Sequence, residues 1–196
     1  MTDAFRLAHI FEDTAAWIKK EPVLSEAAAS SAERTVLYKE GESPALPGNP
    51  QYETTVGLSH DRSFAAAMRL RAQFPEARIA VHNFASASNP GGGVVNGASA
   101  QEECLCRCSG LYFNLNTRVM WDGFYQPHRD AHDPIHNDDI IYTPGVTVFK
   151  TDTAMPELMP ESDWYDVDVI TCAAPNLRNQ PSNKYNTGDG NKQTVM

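Results

Sequence analysis

Apolar residues recur at three- and four-residue steps near the start of the chain. Phe5, Ala8, Phe11, Ala15 and Ile18 trace one stripe from Asp3 to Lys20, which predicts an amphipathic packing helix. Ser25 to Glu33 is rich in Ala and Ser and extends the helical region, and Arg34 to Tyr38 has the composition of a strand. Glu40 to Pro50 carries Gly41, Pro44, Pro47, Gly48 and Pro50 and reads as a loop, followed by a β-like segment from Tyr52 to Leu58. A helix is expected from Arg62 to Phe74, capped by Asp61 or Ser63 and stopped by Pro75. Arg78 to Phe84 is a short apolar run suited to a central strand, and it leads into a glycine segment. A further helix is predicted from about Ala100 to Tyr112, with Ser99 as its N-cap.

Beyond Asn116 no period is sustained until Ile140 to Tyr142, Thr147 to Phe149 and Val167 to Cys172, which read as strands. Helices interspersed with strands indicate an α/β sandwich around a mixed sheet. Ligands on such sheets bind in loops beyond the carboxyl ends of the strands, the kind of position that Asn89 to Gly97 occupies. Residues 177–196 read as loop, and the expected closing strand and helix material of such a domain is missing, so the domain is expected to lack its C-terminal part.

A length of 196 residues with 41% hydrophobic content suits one domain spanning residues 1–196. The net charge of −9 argues against a surface that holds duplex nucleic acid through its phosphates. No apolar run approaches membrane-spanning length and the N-terminus lacks the order of a secretory signal. A cytoplasmic protein without a membrane partner is therefore expected, or a nuclear one in a eukaryote. Cys104, Cys106 and Cys108 alternate in one stretch, where Cys104 and Cys108 would share a helix face and Cys106 would not, a poor metal geometry. They read as small buried side chains. His128, His132 and His136 recur at four-residue steps, but Asp133-Pro134 interrupts any helix carrying them, so they read as a polar loop near the site. Trp121, Phe124 and Tyr125 read as packing residues rather than a stacking platform. No metal and no cofactor is expected.

The candidate chemistry is concentrated between Asn89 and Glu103. Gly91, Gly92 and Gly93 expose backbone N–H groups and precede a helix start, a combination that suits an anion such as a phosphate. Ser99 and Glu102 fit a capping box, which gives Glu102 a structural reading. Glu103 is not required by that box. An acid pair beside a phosphate cradle suits cleavage of a glycosidic bond in a nucleotide sugar, one acid protonating the leaving oxygen and the other orienting ribose hydroxyls or water. The helix dipole opposes this by favouring the ionised form, so the substrate's own diphosphate, the neighbouring carboxylate and exclusion of water must together outweigh it.

Asn83-Phe84-Ala85-Ser86-Ala87-Ser88-Asn89-Pro90-Gly91-Gly92-Gly93, seven residues and then Gln101-Glu102-Glu103 resemble the signature of poly(ADP-ribose) glycohydrolases of the short microbial type. Leu105-Cys106-Arg107, Ile140-Ile141-Tyr142-Thr143-Pro144 and Ala173-Ala174-Pro175-Asn176 add to the likeness. The resemblance implies a macrodomain-like α/β/α sandwich that hydrolyses ribose–ribose bonds of poly(ADP-ribose) and releases ADP-ribose without a metal. It implies Glu103 as the catalytic acid, Glu102 as the residue that positions the ribose, and Asn83, Asn89, Gly91, Gly92, Gly93, Val94 and Gln101 as ligand contacts. The implied partners are poly(ADP-ribose) or ADP-ribosylated protein, with a separate C-terminal fragment completing the fold. Family members continue past Ala-Pro-Asn with a glycine-rich strand and loop that has no match here, so the alternative is a module that binds ADP-ribose without cleaving it.

Overall fold

The computed structural model describes residues 2–42, 44, 48 and 53–176. Helix α1 (Asp3–Lys20) starts where Thr2 accepts a hydrogen bond from the Phe5 amide, and it carries Asp3 in its first turn and Lys19 and Lys20 in its last, as the helix dipole favours. Its buried face is Leu7, Phe11, Thr14 and Ile18, rotated from the predicted stripe: Phe5 is 48% exposed and packs edge-on against His9. Thr14 belongs to that face because its hydroxyl donates to the Arg107 carbonyl at 2.6 Å. Helix α2 (Pro22–Glu33) begins three residues before the predicted stretch, with Pro22 in its first turn, where no amide is needed.

Strand β1 (Val36–Tyr38) follows. Residues 53–60 form no strand and are exposed, contrary to the β-like reading of Tyr52 to Leu58; Tyr52 itself and most of the 40–50 loop lie outside the described residues, as does the loop expected over 177–196. Helix α3 (Ser63–Gln73) is capped neither by Asp61 nor by Ser63. Asp61 instead binds Ser59 and Arg69, and the Phe64 amide is taken by Asp152, a cap supplied from elsewhere in the fold.

Strand β2 (Ala80–Ala85) is parallel to β4 (Tyr165–Ala173), which is antiparallel to β3 (Ile140–Val148), and β1 pairs antiparallel with β3, giving the order β1-β3-β4-β2. The run predicted as a central strand is thus at an edge among the described residues. The two segments predicted at Ile140 and Thr147 are one strand with a register shift between Thr143 and Val146, where Pro144 lacks an amide and Gly145 adopts φ +66°.

Val81, Ile141, Val146, Val148, Tyr165, Val167 and Val169 point to one face of the sheet and share a core with Phe11, Phe64, Leu105, Leu111 and Phe124 from the helices. The opposite face carries His82, Phe84 and Ile170, and Phe84 is 62% exposed. Among the described residues, helices therefore cover one face of the mixed sheet, the first layer of the predicted sandwich. Among them too, no helix is long and apolar enough to cross a membrane.

The helix predicted from Ala100 to Tyr112 is two helices, α4 (Gln101–Cys108) and α5 (Leu111–Leu115). Ser109 between them is extended and bridges to Val148, so docking on β3 breaks the helix. The aperiodic stretch after Asn116 is also helical: α6 (Arg118–Met120), a π turn over Trp121–Tyr125 and α7 (Gln126–Ala131). Pro127 has no N–H for the Gly123 carbonyl, and Lys39 Nζ donates to that carbonyl at 2.6 Å instead. The π turn makes room for the ring and shifts the side-chain period, which is why no regular stripe is visible.

Candidate active site

An open cavity of about 530 Å³ lies at the carboxyl end of β2, between the loop that follows it and the start of α4. Glu102 and Glu103 both line it. They are 3% and 7% exposed, and each uses one oxygen to hold the backbone that surrounds the cavity. Glu102 Oε2 accepts from the Ser86 amide at 2.8 Å, and Glu103 Oε1 accepts from the Gly93 amide at 2.8 Å. Gln101, one residue earlier, spans the edge of β2, its Oε1 accepting from the Phe84 amide and its Nε2 donating to the His82 carbonyl. Three consecutive side chains in the first turn of α4 thus fasten β2, the segment after it and the glycine loop, at 82 and 84, 86 and 93.

Glu102 Oε1, Glu103 Oε2 and Asn83 Oδ1 are buried acceptors without a protein partner. A polar atom left this way costs free energy unless a ligand or water satisfies it. Two adjacent buried carboxylates are costly in a second way, through desolvation and mutual repulsion. Burial pushes the Glu102 carboxyl up to about 8; the Ser86 amide opposes the rise and the charge of Glu103 adds to it. Desolvation therefore outweighs the helix dipole, and Glu102 holds its proton at neutral pH.

The capping box does not form. Ala100 is the N-cap, with no side-chain hydrogen bond, and Glu102 reaches the Ser86 amide rather than its own helix terminus. The anion cradle expected from the glycine amides is also occupied internally: Gly92 donates to the Asn89 carbonyl, Gly93 to Glu103 and Val94 to the Gly91 carbonyl. The group that this loop receives is the Glu103 side chain. Gly92, at φ +57°, must be glycine for that reason, because a Cβ there would sit 2.5 Å from Glu103 Oε1 and 3.1 Å from Glu102 Oε2.

Of the other candidates, Asn89, Gly92 and Gly93 line the cavity, and buried Asn83 lies next to Glu102, its Nδ2 donating to Thr171. Gly91 packs under Tyr112 and is not among the lining residues. Val94 is fully buried in the core, and its neighbours Val95 and Asn96 face the cavity. Gln101 is engaged with β2 and with Ser63 and is not among the residues that line the cavity.

The sequence carries no signal for Ser86 here, whereas His128 and His136, expected in a polar loop near the site, do line the cavity. Ser86 contributes through a backbone amide, which leaves no compositional signal. His128 is buried on α7 between the Phe124 carbonyl and Asn137, His132 is the left-handed residue that ends α7, and His136 lies beyond Pro134 against the cavity. The three do not share a helix face, and among the described residues no three His, Cys, Asp or Glu side chains are grouped to hold a metal ion. Cys106 and Cys108 are buried and Cys104 is half-buried, all as free thiols. Phe124 and Tyr125 are core residues and Trp121 is half-buried, carrying the Arg129 guanidinium at 4.8 Å from its ring.

Two half-anchored carboxyl groups lining a cavity at the mouth of a strand are the kind of acid pair on which cleavage of a glycosidic bond draws. The family model for the microbial-type PARG catalytic domain matches residues 13–151, and the chain belongs to this family of poly(ADP-ribose) glycohydrolase domains. The crystal structure of poly(ADP-ribose) glycohydrolase from Thermomonospora curvata is 32% identical with a TM-score of 0.71, covering 91% of this chain and 69% of that one. The same enzyme bound to the inhibitor ADP-HPD matches at 30% identity and a TM-score of 0.71, over 91% of this chain and 68% of that one. The Deinococcus radiodurans enzyme in complex with ADP-ribose is 34% identical with a TM-score of 0.61, covering 76% of this chain and 58% of that one. Comparison with curated proteins gives no match.

Proposed function

We propose that this chain hydrolyses ribose–ribose bonds of poly(ADP-ribose) and releases ADP-ribose. The observation that carries the reading is the pair of buried carboxylates, each anchored through one oxygen and unpartnered on the other, in a cavity open to a ligand. Membership of the family and the likeness to an enzyme solved with ADP-ribose support it.

In this reading Glu102 holds a proton at neutral pH in the free protein. Entry of an anionic diphosphate and loss of water keep a proton in the pair. That proton passes from Glu102 to Glu103, which delivers it to the leaving ribose oxygen as the glycosidic bond breaks, while Glu102, left as a carboxylate, holds the ribose hydroxyls. Water then adds to the anomeric carbon and returns a proton to the pair. Asn83, with a free acceptor beside Glu102, and Asn89 at the cavity wall contact the ADP-ribose unit.

A separate C-terminal fragment that completes the fold is part of the proposal. The sheet face bearing His82, Phe84 and Ile170, and the edge position of β2, support an added layer there. The test is to incubate the chain, alone and with such a fragment, with poly(ADP-ribose) and to quantify free ADP-ribose by chromatography. Release supports the reading. Binding of polymer with no release in either arm overturns it and leaves a module that only binds.

A further inference from the structure

The loop that carries Asn89 is held from behind by a second set of residues. Arg129 on α7 donates from Nε to the Ser88 carbonyl at 2.7 Å and from Nη2 to Asn89 Oδ1 at 2.6 Å. Its guanidinium lies 4.8 Å from the centre of the Trp121 ring, so one face is stacked while the edge makes both hydrogen bonds. Trp121 is itself fixed, its Nε1 donating to Asn116 Oδ1 at 2.7 Å, and Asn116 Nδ2 donates to the Tyr112 hydroxyl at 3.2 Å. Tyr112 packs under Gly91, where a Cβ would lie 2.8 Å from its ring, so the linkage returns to the same loop two residues after Asn89.

Asn89 has two ways to present its amide, and Arg129 selects one. A guanidinium has only donors, so the group it meets must be the oxygen. Nδ2 is then left to donate, one hydrogen going to Ser88 Oγ at 3.2 Å and the other uncommitted on a residue that lines the cavity.

We propose that Arg129 is a positioning residue for substrate, acting through Asn89: it locks the amide so that Asn89 meets the ligand as a hydrogen-bond donor, toward an acceptor oxygen or ring nitrogen of the ADP-ribose unit. This rests on the functional reading above. A lysine cannot replace Arg129, because one ammonium does not make two parallel bonds and stack at the same time.

The experiment is a double-mutant cycle on the affinity of the whole chain for ADP-ribose, measured by calorimetry. Arg129→Gln is expected to weaken binding about tenfold, the scale of one charge-assisted contact. Asn89→Ala is expected to weaken it to a similar degree, and the double variant to lie within about threefold of Asn89→Ala. Arg129→Lys, which keeps the charge, is expected to bind as weakly as Arg129→Gln, and it carries the test if the glutamine variant does not fold. Wild-type affinity in both Arg129 variants, or losses at Arg129 and Asn89 that multiply, overturns the inference. A wild-type chain that does not bind ADP-ribose overturns the functional reading itself, a result distinct from either.

Discussion

Replacing Glu102 by glutamine keeps the shape of the side chain and an oxygen for the Ser86 amide while removing the charge. Glu102 titrates near its ordinary 4.5 in the unfolded chain and at about 8 in the folded one. Below 4.5 both states hold the proton, and the group contributes no pH dependence. Between 4.5 and about 8 the folded state alone holds it, so stability falls as pH rises, and above 8 the loss is complete. At about 1.4 kcal/mol per pH unit, that interval corresponds to roughly 3–5 kcal/mol. The stability of Glu102→Gln relative to wild type should therefore increase by roughly that amount between pH 5 and pH 9. Urea unfolding of both proteins across that range reads it, since the carboxylates remote from the pair cancel in the difference. Two stability curves that stay parallel from pH 5 to pH 9 would refute the assignment of a buried, protonated Glu102.

The same titration predicts that turnover of poly(ADP-ribose) declines as pH rises through about 8, where Glu102 loses its proton; a flat rate from pH 7 to pH 9.5 would contradict this. Gly92→Ala places a methyl group 2.5 Å from Glu103 Oε1 on a backbone at φ +57°, and should cost about 1–3 kcal/mol of stability and at least tenfold in turnover, seen by thermal unfolding and by ADP-ribose release. Lys39→Met removes the ammonium from the Gly123 carbonyl and from Asp139, whose side chain is 2% exposed, and should destabilise by about 2–4 kcal/mol in urea, with conservative hydrophobic packing unable to offset the unpaired carboxylate.

What the sequence disclosed follows from which contacts are local. The bounds of α1 are written in its own residues, a capping Thr2 at one end and paired lysines at the other, and they match the prediction. The rotation of its buried face is not, because it depends on Thr14 meeting a carbonyl on α4. The helical run from Arg118 to Ala131 shows no regular stripe because of its π turn, and Lys39, far away in sequence, takes the carbonyl that Pro127 leaves orphaned. The break at Ser109 likewise needs β3 to be present.

The site divides in the same way. Gln101-Glu102-Glu103 and the glycines stood out as residue types in a recognisable order, yet their local readings were misleading. The spacing of Ser99 and Glu102 suggests a cap, and the glycine amides suggest a phosphate cradle. In the fold, Ser86 takes the first carboxylate and Gly93 takes the second, so both signals reflect one arrangement in which α4 fastens the loop beside it. Arg129 had no signal at all, since its role exists only once α7 is placed behind Asn89.

The most direct measurement of the central claim is the rate of ADP-ribose release by Glu103→Gln set against its affinity for ADP-ribose. If Glu103 delivers the proton, the variant loses about 10²–10⁴-fold in turnover while its ADP-ribose affinity stays within a few-fold of wild type. Release by Glu103→Gln within tenfold of wild type would show that the acid lies elsewhere.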